Sequence, residues 1–162
     1  MSKEKYMQTK EREFQTTLKV LKAYPKDKQD IKPHATKSKS AKELARNFAQ
    51  EEAMCAQIID GAVDWNKMPQ LQGDIDEAIK TYESEHAKTM EKLKNASEED
   101  LQKPINFFGG EMSRMDAMHE MLHDAIHHRG QFSVYMRLAD GKLPMIYGPT
   151  ADEPWEGPTE IK

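Results

Sequence analysis

Residues 113–139 read SRMDAMHEMLHDAIHHRGQFSVYMRLA, and the rotational phase of this stretch decides both the fold and the position of any site. Ser113 and Asp116 form a loose capping box at its start, and Gly141 follows its end, as expected of one long helix. At about 100° per residue, with His119 as zero, Ala117, Met118, Met121, Leu122, Ala125, Ile126, Phe132, Tyr135 and Met136 fill an arc from roughly 160° to 340°. Half the cylinder is therefore apolar and must be covered by other elements.

The same spacing recurs upstream. Met7, Phe14, Leu18, Leu21 and Tyr24 fall at three-, four- and seven-residue intervals until Pro25 ends the pattern. Ser40-Ala-Lys-Glu43 is a capping box for a second helix carrying Leu44, Phe48, Cys55, Ile58 and Ile59, with Gly61 as its stop. A third helix after Gly73 presents Ile75, Ile79, Tyr82, Met90 and Leu93 on one side. Helices are expected over 5–24, 41–60, 73–95 and 113–139, with one extra short turn from Ser97 and an irregular or briefly extended segment from Pro104 to Gly110. β-branched alternation is nearly absent, so the class is all-α, and four amphipathic helices with long connections make one four-helix-bundle domain over residues 1–162. The segment from Lys142, with Pro144, Pro149, Pro154 and Pro158, reads as a tail extended over the surface.

Composition narrows the function. The chain of 162 residues is 37% hydrophobic and 32% charged with a net charge of −4, so there is no basic field to draw in nucleic acid or an anionic membrane. The single cysteine excludes a disulfide framework or a CxxC motif. No apolar run suits a leader or a membrane span, and a cytoplasmic location is expected. No Gly-rich phosphate loop and no serine elbow is present, which leaves NTP chemistry and that route of acyl transfer without support.

Sites in bundles form where polar side chains project inward. His119, His123 and His127 fall at roughly 0°, 40° and 80°, opposite the apolar arc, and read as a solvent-facing stripe despite their metal-like spacing. Asp124 and His128, at roughly 140° and 180°, lie on its inward edge and are the better ligand pair. Arg129, at roughly 280°, lies deep in the arc and needs an acidic partner. Glu51 points inward on the second helix. Two readings stay open: a buried Glu51–Arg129 bridge, or a carboxylate joining Asp124 and His128 around a divalent ion. His86 reads as a satisfied core histidine, and Cys55 as a buried small hydrophobe.

The run His127-His128-Arg129-Gly130-Gln131, continuing to Tyr135 and Arg137, then Pro144-Met-Ile-Tyr147-Gly148-Pro149-Thr-Ala-Asp152-Glu153, resembles the signature of the DinB-like (YfiT-like) family. Lys42-Glu-Leu-Ala-Arg-Asn47-Phe-Ala-Gln-Glu51-Glu52 resembles that family's second helix. The resemblance implies a four-helix bundle, frequently a homodimer. It also implies a divalent ion held by one His of the second helix and two of the last, and an activity of the thiol-dependent transferase or metal-dependent hydrolase type. Carried over, the last family ligand falls on His128, its partner one turn earlier on Asp124 in place of His, and the second-helix ligand on Asn47 in place of His. Oxygen donors at two of three positions shift the preference from Zn or Ni toward Mn, Mg or Ca, or leave the site empty. Glu51, one turn beyond Asn47, supplies a replacing carboxylate on the helical wheel.

Two functional expectations follow. The first is an enzyme with an ion on Asp124 and His128, assisted by Glu51 or Asn47, with Gln131 or Tyr135 orienting a small-molecule or low-molecular-weight thiol substrate. The second is a degenerate, non-catalytic dimeric bundle, acting as a binding or stress-response module, in which Glu51, Asp124, His128 and Arg129 form a satisfied polar network.

Overall fold

The computed structural model describes residues 2–157, so Pro158 of the expected tail lies outside the described residues. Its architecture is all-α: α1 (Lys3–Ala23), α2 (Ala41–Asp60), α3 (Ile75–Asn95), the short α4 (Glu98–Gln102) and α5 (Arg114–Leu138). A small hairpin, β1 (Pro104–Phe107) and β2 (Gly110–Ser113), pairs antiparallel between α4 and α5. This hairpin gives regular form to the segment expected to be irregular or briefly extended.

Local chemistry sets the helix ends. At α2 the Ser40 hydroxyl accepts from the Glu43 N–H at 3.3 Å while the Glu43 carboxylate accepts from the Ser40 N–H at 2.6 Å, which satisfies two otherwise orphaned donors. Gly61 closes the helix at φ 99°, a conformation a Cβ disfavours.

The core divides into two apolar clusters. One gathers Phe14, Leu21, Leu44, Phe48, Ile79 and Phe132; the other gathers Tyr6, Cys55, Ile58, Leu93, Met118 and Leu122. Each long helix crosses from one cluster to the other, and their order along each helix gives the topology. α1 and α5 run one way, and α2 and α3 the other. The connection over residues 61–74 therefore has to travel the length of α2. Contacts from α2 hold it there: Gln50 donates to the Pro69 carbonyl at 3.3 Å, the Asp64 N–H donates to Gln57 at 2.6 Å, and Arg46 donates to Gln72 at 2.6 Å and to Gly73.

Between the clusters lies a layer of buried polar groups contributed by all four long helices: Lys10 and Glu13, Glu51 and Glu52, His86 and Thr89, and Arg129. Charges at this depth persist only when paired. Lys10 donates to Glu52 Oε2 at 2.9 Å, and His86 faces Glu52 Oε1 and Glu11 Oε2, each at 2.9 Å. Both ring nitrogens meet carboxylates while Phe14 stacks on the ring at 3.6 Å, so His86 is a satisfied core residue. Cys55 is buried 3.6 Å from the Lys10 ammonium.

Arg129 finds its acid on α1 rather than α2. Its guanidinium donates to Glu13 Oε2 at 2.7 Å, to the Glu13 carbonyl at 3.1 Å and to Thr17 at 3.2 Å, which overturns the Glu51–Arg129 alternative. The wheel located the buried cation correctly, but it carries no information about which neighbouring helix faces it.

The C-terminal segment does more than lie over the surface. Leu143 and Ile146 pack against the first cluster, and Tyr147 donates to Glu13 Oε2 at 2.5 Å while accepting from Arg129. Asp152 and Glu153 accept from the Leu143 and Met145 N–H groups at 2.9 and 2.7 Å. No helix among the described residues is long and apolar enough to cross a membrane.

Candidate metal centre

α2 and α5 face each other at the level of the polar layer, where His128 on α5 meets the buried Glu51 on α2, while Asp124, expected on the inward edge of α5, is exposed one turn before His128. His128 Nδ1 lies 2.5 Å from Glu51 Oε1 and 3.7 Å from Asp124 Oδ2. One ligand atom from each of Glu51, Asp124 and His128 falls within 4.8 Å of the others, a cluster close enough to hold a metal ion. Asp124 stands one turn before His128 and is largely exposed, His128 is half-buried, and Glu51 is buried. The site therefore grades from protein interior to solvent.

Electrostatics distinguishes this cluster from the rest of the layer. Glu52 and Glu13 are also buried, but their neighbours compensate. Burial opposes their charged forms, while Lys10 and His86 beside Glu52, and Tyr147 and Arg129 beside Glu13, hold both carboxyls below the ordinary range. Glu51 goes the other way. Burial pushes its carboxyl up despite the hydrogen bond to His128, and that hydrogen bond in turn raises His128. One proton lies between the two groups, whose nitrogen and oxygen are 2.5 Å apart. Glu51 Oε2 is buried with no hydrogen-bond partner, whereas almost every buried carboxylate oxygen in a folded protein has one. An inward orphan oxygen beside an imidazole and a second carboxylate is a donor set that suits a divalent cation.

The other candidate residues are placed as follows. Asn47 lies one turn before Glu51 and borders the same cavities as His128, with its amide oxygen accepting from Lys39 Nζ at 2.7 Å. Tyr135 donates to the Lys39 carbonyl at 2.8 Å and anchors the loop before α2. Gln131 is exposed and bonds His127 at 2.8 Å. His123 and His127 are exposed on the outer face of α5. His119 departs from the expected solvent stripe: it is half-buried, edge-on to Tyr6 with ring centroids 5.0 Å apart, and its Nε2 is buried without a hydrogen bond. Desolvation lowers its pKa. The N-terminal turns of α1, packed across that end of α5, cover a face that the wheel alone left to solvent.

Two residues at the mouth went unread in the sequence. Trp65, on the return connection, and Phe108, at the hairpin tip, face each other across the opening with ring centroids 6.4 Å apart. Neither belongs to a periodic pattern, and only their placement in Pro/Gly-rich connections signalled anything.

Comparison with known proteins agrees with this architecture. The DinB family model matches residues 1–159. A DinB-like protein from Bacillus cereus ATCC 10987 superimposes with TM-score 0.77 at 20% identity, over 89% of this chain and 97% of that one. A second DinB-like protein, YjoA from Bacillus subtilis, gives TM-score 0.73 at 25% identity, over 88% and 97%. The uncharacterised protein YrdA of Bacillus subtilis (strain 168) is 42% identical over 53 residues, 33% of this chain and 32% of that protein.

Proposed function

Since the chain belongs to the DinB family, we propose that it is a metal-dependent enzyme of the transferase or hydrolase type, with Glu51, Asp124 and His128 holding a divalent ion where α2 and α5 open to solvent. The observation that carries this reading is the buried, unpartnered Oε2 of Glu51 within the three-residue cluster. A bound divalent ion supplies Lewis acidity at that point.

The chain's own residues do the rest. Glu51 and Asp124 provide two negative charges, and His128 provides a nitrogen donor once the proton shared with Glu51 has left. Two oxygens and one nitrogen favour Mn, Mg or Ca over the Zn or Ni of an all-imidazole set. Asn47, released from Lys39, is within the same cavity as a further oxygen donor. Gln131 and Tyr135 border the entrance beside it and orient a small-molecule substrate. A homodimer and a cytoplasmic location belong to the same reading.

The alternative is a non-catalytic bundle serving as a binding or stress-response module, and the engagement of Asn47 by Lys39 favours it. Isothermal titration of untagged, EDTA-treated protein with Mn2+ and Zn2+ separates the two. One-site binding lost in Asp124→Ala and His128→Ala but kept in His123→Ala supports the enzyme; the absence of any site supports the module.

A further inference from the structure

Three cavities meet at the metal-ligand cluster. The first, about 420 Å3, is bordered by Lys37, Lys39, Asn47, His128 and Tyr135. The second, about 320 Å3, is bordered by Glu51, Met54, Trp65, Met68, Phe108 and Asp124, and again by Asn47 and His128. The third, about 520 Å3, shares Phe108, Met121 and Asp124 with the second. They form one groove, and Glu51, Asp124 and His128 lie at its middle.

The two ends of this groove differ in chemistry. No carboxylate borders the first cavity. Among the described residues Lys37 has no acidic partner, and the Lys39 ammonium donates to an uncharged amide, Asn47 Oδ1, at 2.7 Å. Among the described residues neither lysine is paired with a carboxylate, so this end carries positive charge although the molecule as a whole is acidic. The other end is richer in apolar side chains: Met54, Met68 and Met121 border it together with Trp65 and Phe108, which are 59% and 76% exposed. Polarisable Met side chains and two facing rings form a surface that adapts to a flat or hydrophobic body.

Phe108 carries a second, independent signal. It sits at φ 46°, followed by Gly109 at φ 83°, the positive-φ pair of a tight hairpin turn. That turn favours Asn or Asp followed by Gly. A phenyl group at the first position takes an unfavourable backbone conformation and gains little burial in return. Strain at an exposed aromatic on the rim of a cavity is accounted for by what the ring touches when the cavity is filled.

We propose that the groove takes an amphiphilic organic anion, its acidic group at Lys37 and Lys39 and its apolar or aromatic body between Trp65, Phe108 and the methionines. The part joining the two ends then lies across Glu51, Asp124 and His128. The inference deepens the enzymatic reading and rests on it for the position of the reacting atom, but the groove itself exists without an ion.

Fluorescence titration of the EDTA-treated chain with 8-anilinonaphthalene-1-sulfonate, beside the uncharged N-phenyl-1-naphthylamine, tests it. Lys37→Gln/Lys39→Gln is expected to weaken the sulfonate by about fivefold or more and to leave the neutral probe within about twofold. Trp65→Ala/Phe108→Ala is expected to weaken both probes by about fivefold or more. All four positions are exposed, so the variants keep the fold, which the thermal melt verifies. Sulfonate affinity unchanged in the lysine variant overturns the proposal. So does probe binding indifferent to Trp65 and Phe108, or affinity that falls as protein concentration rises because a second copy covers the groove. Since no metal enters these titrations, failed Mn2+ binding with intact probe selectivity overturns only the metal reading, and the reverse overturns only this one.

Discussion

Glu51 Oε1 sits 2.5 Å from His128 Nδ1 while the second oxygen of the same carboxylate is buried without a partner. A buried unsatisfied polar atom costs about 1–3 kcal/mol, a cost that the proposed metal site accounts for. Glu51→Met is therefore expected to leave the metal-free protein as stable as the parent or up to about 1–3 kcal/mol more stable, and to abolish any stabilisation by Mn2+. Urea unfolding with and without Mn2+ reads both effects. A metal-free loss of stability as large as that of breaking a buried ion pair would show that Glu51 is structural.

Glu13 and Arg129 form the opposite case. Both carboxylate oxygens of Glu13 and both terminal nitrogens of Arg129 are partnered, by Thr17, Arg12 and Tyr147 as well as by each other. Removing one partner leaves an uncompensated buried charge, so Glu13→Ala is expected to destabilise by about 3–5 kcal/mol. Replacing both with apolar residues of similar size, as in Glu13→Met/Arg129→Met, is expected to recover most of that loss. Equilibrium unfolding of the single and double variants gives the coupling directly, and additive losses would argue against a buried pair.

These two relationships show how far the sequence could be read. Periodicity fixes which face of a helix is inward, so Arg129, His128, Glu51 and His86 were legible as inward polar groups, and His123 and His127 as outward ones. Partner choice was not legible. Whether Arg129 meets Glu51 or Glu13 depends on the order of helices around the bundle and on their relative heights, which a single wheel does not encode. His119 was misread for the same reason, because α1 covers that end of α5. The hairpin escaped because Phe108-Gly109 lacks the Asn-Gly signature, and the groove escaped because Trp65 and Phe108 belong to connections rather than to periodic elements.

The capping box of α2 carries a pH dependence of defined sign. The hydrogen bond from the Ser40 backbone holds the Glu43 carboxyl at about 2, below its ordinary value of 4.5. A depressed carboxyl stabilises the fold above its unfolded pKa and loses that contribution as pH falls through the folded one. The side chain is 42% exposed, so solvent screens the electrostatic part, and the cap itself sets the scale. Glu43→Ala is expected to cost about 0.5–1 kcal/mol at pH 7. The difference from the parent should shrink below about pH 4.5 and mostly vanish near pH 2. Thermal melts of the two proteins across this range should converge on the acid side; a constant gap would remove the carboxylate from the account.

Cys55 tests the sealing of the polar layer. Burial pushes its thiol up to about 12, although the Lys10 ammonium works against the shift. At pH 8 the native chain should carry almost no thiolate, and the sulfur is shielded as well. Iodoacetamide is expected to label it only through unfolding, at a rate that climbs with urea and matches the opening rate from hydrogen exchange. Labelling at the rate of a free thiol in native buffer would mean that the layer opens readily to solvent.

Phe108 offers a trade between stability and binding. At φ 46° before Gly109 it occupies a position that Asn fills with less strain, because a short polar side chain bonds its own backbone there. The ring is 76% exposed, so its removal sacrifices little packing. Phe108→Asn is accordingly expected to raise stability by about 0.5–1 kcal/mol while weakening the binding of aryl probes in the groove. Scanning calorimetry reads the first effect and fluorescence titration the second. A more stable variant that binds as well as the parent would detach the strained turn from function. A less stable one would show that the ring, through its contacts with Phe107 and Trp65, holds the hairpin together instead of serving the groove.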